Sequence, residues 1–278
     1  MYIPKELKRI PSPPKQLFQL GQNLADLLEY PCVAIVGSRN VSPYGNQITA
    51  RLAGDLAERG IVIVSGLALG VDGIAHTAAL AAGGKCIAVL PSPLSNIAPA
   101  TNRQLAKRVV DGGGVLVSEY EDGSVINKAS FVARNRLVAG LANVVLITEA
   151  VQKSGSLHTA RFALEQGKDV LAVPGNITSP TSVGTNNLIK AGAAVVTSYV
   201  DVLHALGLTE GLKARKHTPK GRNPQEQAVI DLMAKGISDG EELRHKSELG
   251  ITDFSQVLTM LEISGKIHSL GSNQWTLQ

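Results

Sequence analysis

An α/β fold with a doubly wound, mostly parallel sheet is predicted by three features of this 278-residue sequence. Short apolar runs such as "VAIVG", "IVIVS" and "VVLIT" are solid rather than alternating. Strands covered by helices on both faces read this way, because neither face meets water. Between these runs lie segments with helical spacing, so strand and helix signals take turns along the chain. The 28 glycines cluster beside the runs, where tight strand-to-helix turns need them, and only 4% of residues are aromatic. The core must therefore be built from Val, Ile, Leu and Ala.

The elements follow in order. Residues 1–30 read as a Pro-rich N-terminal arm, "IPSPPKQLFQL", with a short helical candidate ending near Tyr30. Residues 31–206 carry the alternation. Strands are expected from Val33, Ile61, Cys86, Val115, Val144, Val170 and Ala194. Helices are expected over 46–59, 73–82, 101–110, 130–140, 158–166 and 185–191. This is a Rossmann-like arrangement. Residues 207–222 read as a basic linker, since Lys213 to Arg222 holds five Lys/Arg and no acid. Residues 223–278 read as a separate winged-helix-like domain: three helices, with Pro224 in the first turn of the first and Thr252 capping the third, then a hairpin turning at "GSNQ". The third helix, "TDFSQVLTMLEISG", carries two acids and no Lys or Arg before Lys266, a poor surface for reading the major groove.

The net charge of +4 favours an anionic partner only slightly. Cys32 and Cys86 both neighbour strand runs and read as core fillers, and the six histidines show no ligand spacing, so no metal site and no cofactor are expected. Lys5, Glu6, Lys8 and Arg9 interrupt any signal peptide, and no run approaches a membrane span, which makes the cytoplasm the expected location.

Candidate site residues lie in loops after the strands, at the carboxyl edge of the sheet where ligands collect. The first is "GSRNVSPYGNQ". It lacks the spacing of a dinucleotide fingerprint, but Gly37 and Ser38 precede a helix, and Arg39 offers a fork of donors to an anion; pairing with a carboxylate is the alternative. "SGLALGVDGIAH" begins with Ser65 and Gly66 and allows close backbone approach. Asp72 and His76 within it are more consistent with bracing a turn than with catalysis, because no nucleophile accompanies them. "NKASFVARNR" places Lys128, Arg134 and Arg136 around Phe131, the mixture of cation and ring that single-strand binders use. Arg134 and Arg136 are two apart and cannot face the same way on a helix, so one is free to meet a ligand while the other braces. Ser154, Gly155 and Ser156 form a small-residue turn before a helix. No nucleophile elbow, paired carboxylates or phosphate-loop lysine appears.

Together, "VAIVGSRNVSPYG", "IVSGLALGVDGIAHTAAL", "VLVSEY", "FVARNRLVAGL", "TEAVQKSGSLHTA" and "LAVPGN" through "GTNNLIKAGA" resemble the DprA/Smf family of bacterial DNA-processing proteins over about residues 31–200. The resemblance implies a non-enzymatic, dimeric protein that binds single-stranded DNA in a positively charged pocket. It also implies loading of a RecA-type recombinase on that strand during DNA uptake or recombination. It casts Arg39 as a phosphate-binding arginine, Lys128 as a DNA-binding lysine, Phe131 as the ring of a base pocket, and Ser154 and Ser156 as phosphate-side residues. The loop after the third strand, "VLPSPLSNIAPATN", departs from the family pattern but keeps Asn102. One competing reading is a phosphoribohydrolase of nucleoside monophosphates. It lacks a carboxylate where the sugar would sit, since "KSGSLHTARFALE" has no acid before Glu165. Another is a regulator that binds duplex DNA through residues 223–278.

Overall fold

The computed structural model describes residues 3–208, 219, 221–271 and 273–277. Most of the expected basic linker lies outside the described residues. The elements of the first part are α1 (Lys5–Lys8), β1 (Phe18–Gly21), α2 (Leu24–Leu27), β2 (Cys32–Val36), α3 (Pro43–Glu58), β3 (Val62–Ser65), α4 (Val71–Ala81), β4 (Cys86–Leu90), α5 (Arg103–Asp111) and β5 (Val115–Ser118). They continue with α6 (Lys128–Leu141), β6 (Val144–Ile147), α7 (Ser156–Glu165), β7 (Asp169–Ala172), α8 (Val183–Lys190), β8 (Ala194–Val195) and α9 (Tyr199–Ala205).

These strands form one sheet in the order β1-β5-β4-β3-β2-β6-β7-β8. Every neighbouring pair is parallel except β1 with β5. The central strands are buried along their whole length, which is why they read as solid apolar runs. Alternate residues still divide between two cores. Cys32, Ala34 and Val36 of β2 pack with α6 and α7, whereas Val33 and Ile35 pack with α3, α4 and α5.

The chain starts the parallel sheet at β2, steps outward one way to β5, then returns and steps the other way from β6 to β8. The loops leaving β2 and β6 therefore diverge to opposite faces and open a crevice between them, the usual ligand position in such sheets.

Residues 1–30 behave differently from the expected arm. β1 pairs with β5 from Phe18 opposite Ser118 to Gly21 opposite Val115. Leu7, Ile10, Leu17, Leu24 and Leu27 enter the same buried core as β2 and α6. Elements of four residues are too short to show a period, and the prolines dominate the composition, so this contribution does not show in the pattern.

Helices α3, α4, α6, α7 and α8 begin two or three residues earlier than their apolar spacing suggests, because their first turns face the polar sheet edge. One consequence is functional: Lys128 and Ser156 are the first residues of α6 and α7.

The chain divides into two compact units at Arg215. The second contains α10 (Pro224–Ala234), α11 (Gly240–Ser247), α12 (Ile251–Ile263), β9 (Ile267–Gly271) and β10 (Gln274–Leu277). Three helices followed by an antiparallel hairpin give the winged-helix-like arrangement. Its own core includes Val229, Ile230, Leu243, Phe254, Leu261 and Ile267. The cap of α12 is Gly250 rather than Thr252, which lies inside the helix.

Candidate functional site

A cavity of about 490 Å³ occupies the crevice between the ends of β2 and β6. Four segments line it: Gly37 to Asn40 after β2, Ala68 and Asp72 around the start of α4, the first two turns of α6, and Val151 with Ser154 to Ser156 at the start of α7. Of the expected site residues, it brings together Gly37, Ser38, Arg39, Lys128, Phe131, Arg134, Ser154, Gly155 and Ser156.

Its floor is a buried ionic cluster. Arg134 is 3% exposed and donates through Nη1 to the carbonyls of Gly66 and Val89. Burial pulls the guanidinium down to about 10, against the opposing pull of Asp72. Asp72, 6% exposed, accepts from the Gly66 amide at 3.0 Å and the Ala68 amide at 3.4 Å. Its pKa is raised by burial, with Arg134 and these backbone bonds working the other way. Arg134 and Asp72 thus clamp the "SGLALG" loop from both sides of its peptide groups. A side chain at Gly66 would collide with the guanidinium, and one at Gly70, where φ is +74°, would collide with the carbonyls of Ser38 and Arg39.

Ser65, Gly66 and Asn102 do not line the cavity but hold this loop. The Ser65 hydroxyl donates to the Ile35 carbonyl at 2.6 Å. The Asn102 amide donates to the carbonyls of Leu67 at 2.9 Å and Ala68 at 3.2 Å, bracing Leu67 at a φ of 54°. Below them His76 is fully buried, and burial lowers its pKa to about 4, with the Ser65 backbone working the other way.

The rim is the opposite of the floor. Arg39 and Lys128 are exposed, and among the described residues neither has an ion-pair partner. The Arg39 guanidinium sits 5.1 Å from the centre of the half-buried Phe131 ring. Such stacking presets a flexible cation while leaving its N–H groups free for an anion. Ser38 is fixed by donation of its amide to the Glu149 carbonyl at 2.8 Å and of its hydroxyl to the Asn40 carbonyl at 2.7 Å. Across the cavity, the Ser154 and Ser156 hydroxyls bond each other at 2.8 Å, and at the N-terminus of α7, whose N-cap is Gly155, the Ser156 amide donates to the Ser154 hydroxyl at 3.3 Å. The N-terminal turns of α6 and α7 both border the space, and their partial positive charge adds to that of Arg39 and Lys128.

Arg136 corrects one expectation. It points away from the cavity and pairs with Glu119 at 2.8 Å and 2.6 Å, while its Nε donates to the Ser12 carbonyl at 2.8 Å. Two residues along a helix turn a side chain by about 200°, so Arg134 and Arg136 are necessarily divided. Asn135, between them, was not legible from residue type. It accepts from Arg134 Nε at 3.2 Å and donates to the Gly155 carbonyl at 3.3 Å, tying α6 to the turn before α7.

Cys32 and Cys86 are free and buried, and burial pushes both thiols up to about 12. Among the described residues no His, Cys, Asp and Glu side chains group as a metal site would require. The arrangement offers a neutral ring beside two uncommitted cations and a row of small donors. That suits a ligand with a phosphate and a flat apolar face.

The profile of a family described as DNA recombination-mediator protein A matches residues 1–207. The chain is 46% identical to protein Smf of Escherichia coli over 63% of its length, covering 46% of that protein. The X-ray structure of DNA processing protein A from Streptococcus pneumoniae superposes with a TM-score of 0.68 at 43% identity, covering 73% of this chain and 70% of that one. A Helicobacter pylori DNA processing protein A, described for its single-stranded DNA binding mode, gives a TM-score of 0.67 at 39% identity, covering 74% of this chain and 93% of that one. The chain spans about half the length of the Smf proteins of Escherichia coli and Synechocystis.

Proposed function

The chain belongs to the DNA recombination-mediator protein A family, the DprA/Smf proteins, and we propose that it binds single-stranded DNA in the cavity between β2 and β6. One observation carries the reading: two exposed cations without an ion-pair partner among the described residues, Arg39 stacked on the Phe131 ring and Lys128, line one cavity. The cations meet successive phosphates and the ring takes the face of a base. This recognition is indifferent to sequence, since every base has a flat face. The backbone amides of Gly37 and Gly155 and the Ser154–Ser156 hydroxyl pair supply neutral donors to the same phosphates, Ser38 shapes the loop through its own bonds to Glu149 and Asn40, and Arg134 supports the loop from beneath.

In this proposal the protein is cytoplasmic, works as a homodimer, and hands the strand to a RecA-type recombinase during DNA uptake or recombination. The family membership supports these steps. Among the described residues, no helix is long and apolar enough to cross a membrane. The carboxylate lining the cavity, Asp72, already accepts two backbone N–H bonds, which favours a grip over a hydrolytic centre. The C-terminal unit is proposed as a separate module, residues 223–278. Its α12 presents Asp253 and Glu262, which weighs against reading duplex DNA.

The test is binding to labelled single-stranded and duplex oligonucleotides of matched length across a salt series. A strong preference for the single strand, whatever its sequence, supports the reading. Absence of single-strand binding at low salt overturns it.

A further inference from the structure

A second cavity, about 530 Å³, opens on the same edge of the sheet beyond β6. It lies between the start of α3 and the loop joining β7 to α8, and Tyr44, Asn176 and Ser182 are among its lining residues. The segment Glu149 to Val151 is its partition from the first cavity. On one side, the Glu149 carbonyl holds the Ser38 amide at 2.8 Å and Val151 lines the grip. On the other, Glu149 Oε2 accepts from the Ser42 amide at 2.9 Å, and the Ala150 amide donates to the Thr181 carbonyl at 3.1 Å.

The chemistry of this second space differs from that of the first. No Lys, Arg, Asp or Glu lines it, so nothing there compensates a phosphate. Tyr44 is 47% exposed, and its hydroxyl donates to the Pro174 carbonyl at 2.9 Å, which pins the ring at the cavity without burying its face. Ser182 is 4% exposed and lines the space with a hydroxyl that makes no hydrogen bond among the described residues. Asn176 Oδ1 is occupied by Thr178, and among the described residues its Nδ2 donors have no partner. An aromatic face, an idle hydroxyl and an idle amide suit a flat, neutral group with polar edges.

We propose that this cavity takes a nucleobase of the bound strand close to the nucleotide gripped at Arg39 and Phe131, with Tyr44 as its stacking platform and Ser182 and Asn176 meeting its edge. The inference rests on the single-strand reading above and extends it: the strand crosses the ridge at Glu149 to Val151, with its charge neutralised in the first cavity and a further base buried in the second.

The test moves one abasic nucleotide along a single-stranded oligonucleotide of fixed length and compares the wild type with Tyr44→Ala, Ser182→Ala and Phe131→Ala, each checked for unchanged thermal unfolding. Tyr44→Ala should weaken binding of the intact strand roughly 5- to 100-fold, the range one stacked base supplies. It should also make one abasic position silent, and Phe131→Ala should silence a different one. Ser182→Ala should weaken binding at the Tyr44-dependent position alone. A wild type that binds the strand while Tyr44→Ala and Ser182→Ala leave affinity and the abasic pattern unchanged overturns the second subsite and leaves the grip intact. A wild type that binds no single strand overturns both.

Discussion

Among the described residues Arg39 and Lys128 at the sheet edge form no ion pair with a carboxylate, whereas Arg244 and Lys246 on α11 each pair with a glutamate of their own helix, Glu241 at 3.1 Å and Glu242 at 2.7 Å. The segment from residue 223 onward holds eight Asp/Glu and four Lys/Arg, in a chain whose net charge is +4. An exposed cation that its own helix neutralises has little field left for a ligand. One stacked on a ring at the mouth of a cavity keeps its donors available. The contrast locates the anion-binding capacity by the company each cation keeps, not by how many there are. Arg134 and Arg136 repeat the lesson at close range, one beneath the grip and one tied to Glu119.

The largest expected effect comes from the floor. Arg134→Ala leaves two buried carbonyls and the Asp72 carboxylate without their cation, which should cost about 3–5 kcal/mol of stability. Chemical denaturation reads this directly, and a variant as stable as the wild type would show that the cluster does not hold the loop.

Acid should act next, through His76 in the first unit. His76 is buried with its pKa lowered to about 4 from 6.5, so the unfolded chain binds a proton in that interval and the folded chain does not. Its contribution is fully present above pH 6.5 and is lost as pH falls toward 4, a change of about 3 kcal/mol. Thermal unfolding followed against pH should show this slope in the wild type and a flatter one in His76→Leu.

Phe131→Ala should lose about 1–3 kcal/mol of single-strand affinity with stability unchanged within error. A fall in stability with normal binding would place the ring in the core instead. The smallest effect belongs to the paired cations: Arg244→Ala and Lys246→Ala should leave single-strand affinity where it was. Loss of binding in these variants would break the comparison and bring the C-terminal unit into the interface.

Much of this was legible before any coordinates. Solid runs such as "VAIVG" announce strands buried on both faces, and the loops after them announce the ligand edge, because a parallel sheet leaves no other place for "GSRN" and "KSGS". Residue type also marks Arg39, Lys128 and Phe131. Their meeting is less readable, since it depends on α6 beginning at Lys128, a start set by the Asn127–Ser130 capping box rather than by apolar spacing. Asn135, Asn102 and Ser65 act through hydrogen bonds to backbone carbonyls far along the chain, and nothing in their own neighbourhoods records those partners. The role of residues 3–30 was hidden for a different reason: four-residue elements with scattered leucines carry no period, and only the pairing of β1 with β5 gives them a place.

The central claim is that Arg39 and Lys128 neutralise phosphates of a bound single strand. The most direct measurement is the salt dependence of single-strand binding by the wild type and by the double variant Arg39→Ala, Lys128→Ala. Each phosphate contact contributes about 0.7 to the slope of log K against log salt for a single strand, so the double variant should bind more weakly with a slope shallower by about 1.4. Parallel slopes in the two proteins would contradict the assignment, whatever happened to the affinity.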